Sequence, residues 1–233
     1  MASHDLQELL RKVQQLGDLL NDQYADQLGP GVDYLHRMPS AASRMSTLIN
    51  DLLSFSRIVT QPETARPVDL NQVLDGVLSD LELRIAETGA RIERDALPIV
   101  NGDSSQLGQL FFNLLANALK FHRRGENGSV IPPRISVRTQ PVAAVSLPAS
   151  VKPTRVREWY YQIEVADNGI GFDEQYVDRI FQIFQRLHGR SEFRGTGIGL
   201  AICEKVVANH GGAIRARSQV GLGATFSIYL PVE

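Results

Sequence analysis

Asp167-Asn168-Gly169-Ile170-Gly171-Phe172 follows directly on a segment in which Trp159, Tyr161, Ile163 and Val165 alternate as in a strand. A carboxylate at a strand end can accept a hydrogen bond from an exocyclic amine such as that of adenine. Gly169 and Gly171 allow backbone to approach a flat ligand closely. The same six residues also spell an ordinary Asp-Asn-Gly turn.

Upstream, Asn113, Asn117 and Lys120 stand at i, i+4 and i+7, on one face of a helix expected from Ser104 to Phe121. Leu110, Phe111, Leu114, Leu115, Ala118 and Leu119 fill its other faces. A carboxamide oxygen is a hard ligand suited to Mg²⁺, and a lysine is a point charge suited to phosphate. A solvated polar face fits the same spacing. Downstream, Gly195-Thr196-Gly197-Ile198-Gly199-Leu200 opens a helix expected over 198–209. Backbone N–H groups at such a start suit phosphate oxygens. No Gly-Lys-Ser/Thr follows, so this is not a Walker loop. Arg186, His188, Arg190 and Arg194 precede it, a basic stretch suited to a mobile lid over a triphosphate. Gly221-Leu222-Gly223-Ala224-Thr225-Phe226 is a glycine turn entering a strand, and most such turns are purely structural.

The remaining pattern mixes strands and helices without strict alternation, which favours an α+β sandwich over a Rossmann sheet. Leu70, Val73, Leu74, Val77, Leu78, Leu81 and Ile85 predict one amphipathic helix stopped near Gly89. Short strands are expected at 90–93, 98–101, 134–139, 214–216 and 226–230, a helix at 173–184, and a loose loop over 140–156.

Residues 4–59 predict two helices around a turn containing Gly29-Pro30-Gly31. Pro39 predicts a bend or break in the second, with the first straighter. Such a hairpin cannot enclose its own apolar stripes. Two copies make a four-helix bundle, so a homodimer is expected; packing on the rest of the chain is the other solution. Pro62, Arg66 and Pro67 mark a linker. The division is 1–60, 61–68 and 69–233.

The chain has 233 residues, 24 Lys and Arg against 26 Asp and Glu, and a net charge of −2. That balance offers no field for nucleic acid or an anionic membrane. A single cysteine, Cys203, excludes an internal disulfide and a multi-cysteine metal cluster. No apolar run of ~18 residues and no signal peptide is present, and a cytoplasmic location is expected.

The order of an Asn/Asn/Lys helix, Asp-x-Gly-x-Gly, the Phe181/Phe184 pair, Gly-x-Gly-x-Gly and Gly-x-Gly-x-Thr closely resembles the ATP-binding boxes of the sensor histidine kinases, over residues 67–231. The resemblance implies the Bergerat (GHKL) fold, a helical layer on a mixed sheet. It implies ATP and Mg²⁺, with Asn117 on the metal and Asn113, Lys120 and the lid residue Arg186 toward the phosphates. It puts Asp167 on the adenine amine, Gly169 and Gly171 around it, Gly195, Gly197 and Gly199 along the phosphates, and Thr225 near the adenine. Ser3-His4-Asp5-Leu6-Gln7-Glu8 looks like the family's phosphoacceptor box in the variant of phytochrome-like sensors. His4 then becomes the phosphoacceptor and Asp5 the partner of its Nδ1–H. His36, His122, His188 and His210 are read as surface or lid residues.

The activity implied is autophosphorylation of His4 and transfer to an aspartate on the receiver domain of a separate response regulator. Three departures stand out. Leu9 replaces the family's proline, and Glu8 replaces the Thr or Asn tied to phosphatase activity. Only three residues precede His4, so an excised core, separated from an upstream sensor domain, is expected. The alternatives are a dimeric ATP-binding scaffold, or another GHKL ATPase. The latter would need a catalytic glutamate where Asn113 stands.

Overall fold

The computed structural model describes residues 2–24, 32–60, 66–125, 127–187, 193 and 195–232, with only the helical backbone at 2–5, 7, 32 and 34–36. The chain forms two compact units, Met1–Arg57 and Ile58–Glu233. The expected linker over 61–68 runs into a strand at its C-terminal end, as described below.

The first unit is built from α1 (Ala2–Tyr24) and α2 (Val32–Thr60), the latter reaching its last residues in the second unit. The Gly29-Pro30-Gly31 turn lies outside the described residues. α1 and α2 meet at Gly17 and Pro39, seven residues before the end of one helix and seven after the start of the other. That symmetry about the turn makes an antiparallel pair. A Cβ on Gly17 would lie 2.8 Å from Pro39 Cγ, so glycine admits the proline ring. α2 continues through Pro39, so the expected break does not occur; proline removes one N–H donor from the ladder, and the helix resumes on both sides.

The second unit is α+β. Strand β1 (Arg66–Asp69) pairs antiparallel with β3 (Ile99–Gly102), so the end of the linker segment is sheet. A five-stranded sheet runs in the order β2 (Arg91–Arg94), β4 (Arg134–Ala143), β5 (Trp159–Asp167), β7 (Gly223–Pro231), β6 (Ala213–Gln219). Only β2·β4 is parallel. Val137, Ile163, Val165, Phe226 and Ile228 are buried on the face that meets the helices.

That helical layer holds α3 (Leu70–Asp80), α5 (Ser104–Lys120) and α6 (Gly199–Asn209). α5 forms because Leu107, Leu110, Phe111, Leu114, Leu115, Ala118 and Leu119 recur at helical spacing and are all buried, and because Asp103 caps it by accepting from the Ser105 and Gln106 N–H groups.

Two helical expectations are corrected. The single helix over 70–85 is two: Leu81, buried with ψ near 0°, ends α3 and begins α4 (Glu82–Thr88), which Gly89 closes at φ 64°. Residues 173–184 form a short 3-10 turn at Glu174–Tyr176 and further turns, not a helix. Val177, Ile180, Phe181 and Phe184 stand at helical spacing, but only Ile180 is buried, so nothing covers the stripe that would hold a regular helix. The segment over 140–156 is not loose either. β4 extends to Ala143, Val151 packs on Tyr160 and Tyr229, and the Thr154 and Arg155 N–H groups donate to the Gly212 and Gly211 carbonyls.

Among the described residues no helix is long and apolar enough to cross a membrane.

Candidate functional site

Asp167 ends β5, with its carboxylate largely buried. Its Oδ1 accepts from Gly169 N at 2.7 Å and, more weakly, from Ala224 N at 3.4 Å. Burial pushes the carboxyl up, and the two backbone donors oppose that. Its other oxygen accepts no hydrogen bond among the described residues.

The glycines of this loop are fixed by close backbone. A Cβ on Gly169 would strike the Phe121 carbonyl. Gly171, at φ 61°, lies against the Gln219 and Gly223 carbonyls. The loop is held on two sides. Ile170 N donates to Phe121 O at 2.9 Å, tying it to the end of α5, and Gly221 N donates to Ile170 O at 2.7 Å, tying it to the β6–β7 turn. Arg123 closes the triangle by donating to Gly221 O at 3.1 Å. Ser218 accepts from Phe172 N and donates to Gly223 O, both at 2.8 Å. Sequence reasoning singled out neither Arg123 nor Ser218. Their bonds join distant segments, and no local spacing announces them.

Thr225 approaches Asp167 only across a shared cavity. In the β5–β7 register Ala166 faces Thr225, so Thr225 points to the opposite side of the sheet from Asp167. That cavity, of about 670 Å³, is lined by Asp167 and Thr225 together with Phe172, Arg217 and Leu222. Ala224 stands beside Asp167 in its place.

One helical turn apart on α5, the two asparagines differ. Asn113 is engaged by protein: its Nδ2 donates to Gly199 O at 3.1 Å and its Oδ1 accepts from Gln109 Nε2 at 3.2 Å. It therefore fastens α5 to the first turn of α6. The Asn117 carboxamide, half-buried, has no hydrogen-bond partner among the described residues, so its oxygen is available to a hard cation or a ligand.

Lys120 completes the face. Its ammonium lies 4.0 Å from the Phe121 ring centre, and a Cβ on Gly195 would come within 2.8 Å of Nζ. Burial, and secondarily the Arg186 guanidinium, lower its pKa to about 8. No carboxylate among the described residues pairs with it. Arg186 donates to Phe193 O at 2.6 Å, and the Phe193 ring lies 4.9 Å from that of Phe121. The result is a pair of neighbouring cations beside an apolar wall, an arrangement that suits an anion.

Gly197, at φ 78°, accepts from Phe184 N at 2.9 Å, and any Cβ there would meet the Phe184–Gln185 backbone. Phe184 takes φ 66° to make that bond, which breaks the expected helix at its end. Gly199 starts α6, whose first turn has no side-chain cap, leaving its N–H groups for a ligand.

Four other expectations concern histidines. His210 is buried, not superficial. Its Nε2 accepts from Asp103 N at 3.0 Å, and its Nδ1–H donates to Val206 O at 2.7 Å. His122 is half-buried against Leu119 O. His188, Arg190 and Arg194 lie outside the described residues, as do the side chains of His4, Asp5 and His36. Glu8 pairs with Lys12 at 2.9 Å along α1.

Residues 102–233 match the histidine kinase-, DNA gyrase B- and HSP90-like ATPase family. The chain is 43% identical over 233 residues to cyanobacterial phytochrome A of Nostoc sp., covering all of this chain and 28% of that protein. The chain spans less than a third of the length of this and similar curated relatives. Full-length ShkA in complex with AMPPNP superposes with a TM-score of 0.68 at 25% identity, over 99% of this chain and 44% of that one. The mycobacterial sensor histidine kinase MprB gives 0.55 at 29% identity, over 72% of this chain and 97% of its own. On the matched domain, the fold and these relatives, the chain belongs to the histidine kinase-, DNA gyrase B- and HSP90-like ATPase family and stands among its histidine kinases.

Proposed function

We propose that this chain is the catalytic core of a two-component sensor kinase that transfers the γ-phosphoryl group of ATP to His4 and then to an aspartate of a response regulator's receiver domain. The observation that carries this reading is the face of α5. Asn117 and Lys120, both without a protein hydrogen-bond or ion-pair partner among the described residues, stand one turn apart beside Gly195 and Arg186.

In this reading the Asp167 oxygen left unpaired accepts the adenine amine, while Gly169 and Gly171 give the base room. Lys120, Arg186 and the N–H groups from Gly195 to Gly199 hold the phosphates. Asn113 acts through Gly199, whose carbonyl it anchors. The single unpaired carboxamide of Asn117 fits Mg²⁺, an ion that takes few protein ligands and keeps phosphate oxygens and waters. The metal would supply charge neutralisation on the phosphates.

Neutral His4 attacks the γ-phosphorus through Nε2, the bond to the β–γ bridging oxygen breaks, and ADP leaves. Asp5 holds the tautomer by accepting from Nδ1–H and stabilises the imidazolium that develops as Nε2 bonds to phosphorus. Ala224 lies directly beside Asp167 on β7, and Thr225 lines the same cavity as Asp167, within reach of the base side. The chain's exposed apolar helices support a homodimer, and ATP chemistry of this kind belongs in the cytoplasm.

Incubation with γ-labelled ATP and Mg²⁺ tests the reading. Label that is acid-labile and alkali-stable, and absent from His4→Gln, is expected. Acid-stable label, or label retained by His4→Gln, would reject the kinase reading, and nucleotide binding with no label at all would favour the scaffold.

A further inference from the structure

Ser218 lies on β6, outside every glycine box and away from α5, yet its hydroxyl joins the two segments that position Asp167. One partner is Phe172 N, at the end of the loop that begins with Asp167 and Gly169. The other is Gly223 O, whose residue precedes Ala224. Gly169 N and Ala224 N are the two donors that hold Asp167 Oδ1. The hydroxyl therefore holds the peptide unit that contains Ala224 N, and the loop three residues beyond Gly169.

The spacing of the two segments leaves little slack. Gly171 packs against Gln219 O and Gly223 O, and Gly223, at φ 107°, against Asp167 O. Two backbones this close are held in register by hydrogen bonds or not at all. Across the Asp167 loop those bonds are the Ser218 bridge and the Gly221 N to Ile170 O bond. Ser218 uses its donor and one acceptor site at once, which no alanine can replace and a threonine can.

A carboxylate reads a base by where its free oxygen points. Toward an amine it offers an acceptor. Toward the carbonyl that guanine carries at the same place it offers only repulsion, but only if it cannot rotate away. We propose that Ser218 is a positioning residue for base selection: by clamping the Asp167–Phe172 loop to the β6–β7 turn it fixes the Asp167 carboxylate, and so sets the preference for ATP over GTP. This rests on the nucleotide reading above.

The experiment compares the wild-type chain with Ser218→Ala and Ser218→Thr, each checked for folding by thermal melting. ATP and GTP affinities are measured by calorimetry, and hydrogen exchange at the Gly169 and Ala224 amides is followed without nucleotide. Gly169 N has no bond to Ser218, so a change there reports the carboxylate's clamp, whereas Ala224 N shares its peptide unit with Gly223 O and reports the local bond as well. For a folded Ser218→Ala, ATP binding about tenfold weaker is expected, with GTP binding unchanged or tighter. The Gly169 and Ala224 amides should exchange faster, and Ser218→Thr should restore both readouts. Equal weakening of ATP and GTP, or no rescue by threonine, would make Ser218 merely structural and overturn the proposal. So would unchanged exchange at Gly169 and Ala224. Failure of the wild-type chain to bind ATP would remove the nucleotide reading itself; in that case the exchange result still reports whether Ser218 clamps Asp167, so the two failures are told apart.

Discussion

Lys120 shows how a single residue's surroundings define its use. Burial and Arg186 together favour its neutral form, so its pKa falls to about 8 from an ordinary 10.5. Below pH 8 the folded protein still carries the ammonium, but at a cost that the unfolded chain does not bear. The unfolded chain binds more protons between about 8 and 10.5, and in the nucleotide-free protein this group's contribution to stability rises with pH across that window. Nucleotide binding has the opposite sign. Phosphate needs the ammonium, so affinity is highest below pH 8 and falls as the pH rises past it. Above pH 8 the complex should take up a proton. Calorimetry at pH 8.5 in two buffers of different ionisation enthalpy measures that uptake directly. Lys120→Met should abolish it, weaken binding by about tenfold or more at pH 7, and differ less from wild type at pH 9.5. A pH-independent affinity from 7 to 9.5 would show that Lys120 does not meet the phosphates. The residue was legible from its spacing on α5; its depressed pKa was not, because that depends on Arg186 and on how deeply the helix is covered.

At the scale of elements, α5 carries the site's face and its N-terminus is fixed by a residue that no local pattern would place inside. Asp103 N–H can only donate, so His210 Nε2 must accept, and the ring's one proton is on Nδ1, facing Val206 O. The imidazole thereby joins the end of α6 to the cap of α5, and Gly102 leaves room for it, since any Cβ there would collide with the ring. His210→Ala should cost about 2–4 kcal/mol, from two buried groups left unpaired and the void between the helices. A loss below about 0.5 kcal/mol in denaturant unfolding would show that the bridge does not hold the helices. α5 was readable because stripe, cap and length agreed, and α6 because its stripe and length did. The split at Leu81 was not, since the apolar spacing from Leu70 to Ile85 is the same for one helix or two. The side of the sheet on which Thr225 stands was not readable for a different reason. A strand's faces alternate residue by residue, so its side depended on a register that only the paired β5 supplies.

The whole molecule poses the question of what covers the hairpin. On α2, Met38, Met45, Leu52 and Val59 recur every seven residues and are 46%, 46%, 47% and 49% exposed. On α1, Leu6, Val13 and Leu20 do the same, and Leu9 and Leu16, another such pair, are about 60% exposed. A strict seven-residue repeat is the seam of a left-handed supercoil, and a surface helix of a closed monomer has no use for one. Gly17 against Pro39 already settles how α1 meets α2, so these stripes are left over after the hairpin has formed. Burying them against a second copy would remove enough apolar surface to make hairpin folding and dimerisation one event, with apparent stability rising with concentration. Sedimentation at tens of micromolar should therefore give a dimer, and the melting of the helical hairpin should shift upward with concentration while that of residues 66–232 does not. Leu16→Glu with Met45→Glu places two charges in the seam. That pair should yield monomers with a reduced helical signal and leave ATP binding intact, since the nucleotide residues all belong to the second unit. A wild-type chain that stays monomeric with a concentration-independent melt would mean the stripes are covered by something other than a second copy. ATP binding lost along with the dimer would show that the two units do not fold independently.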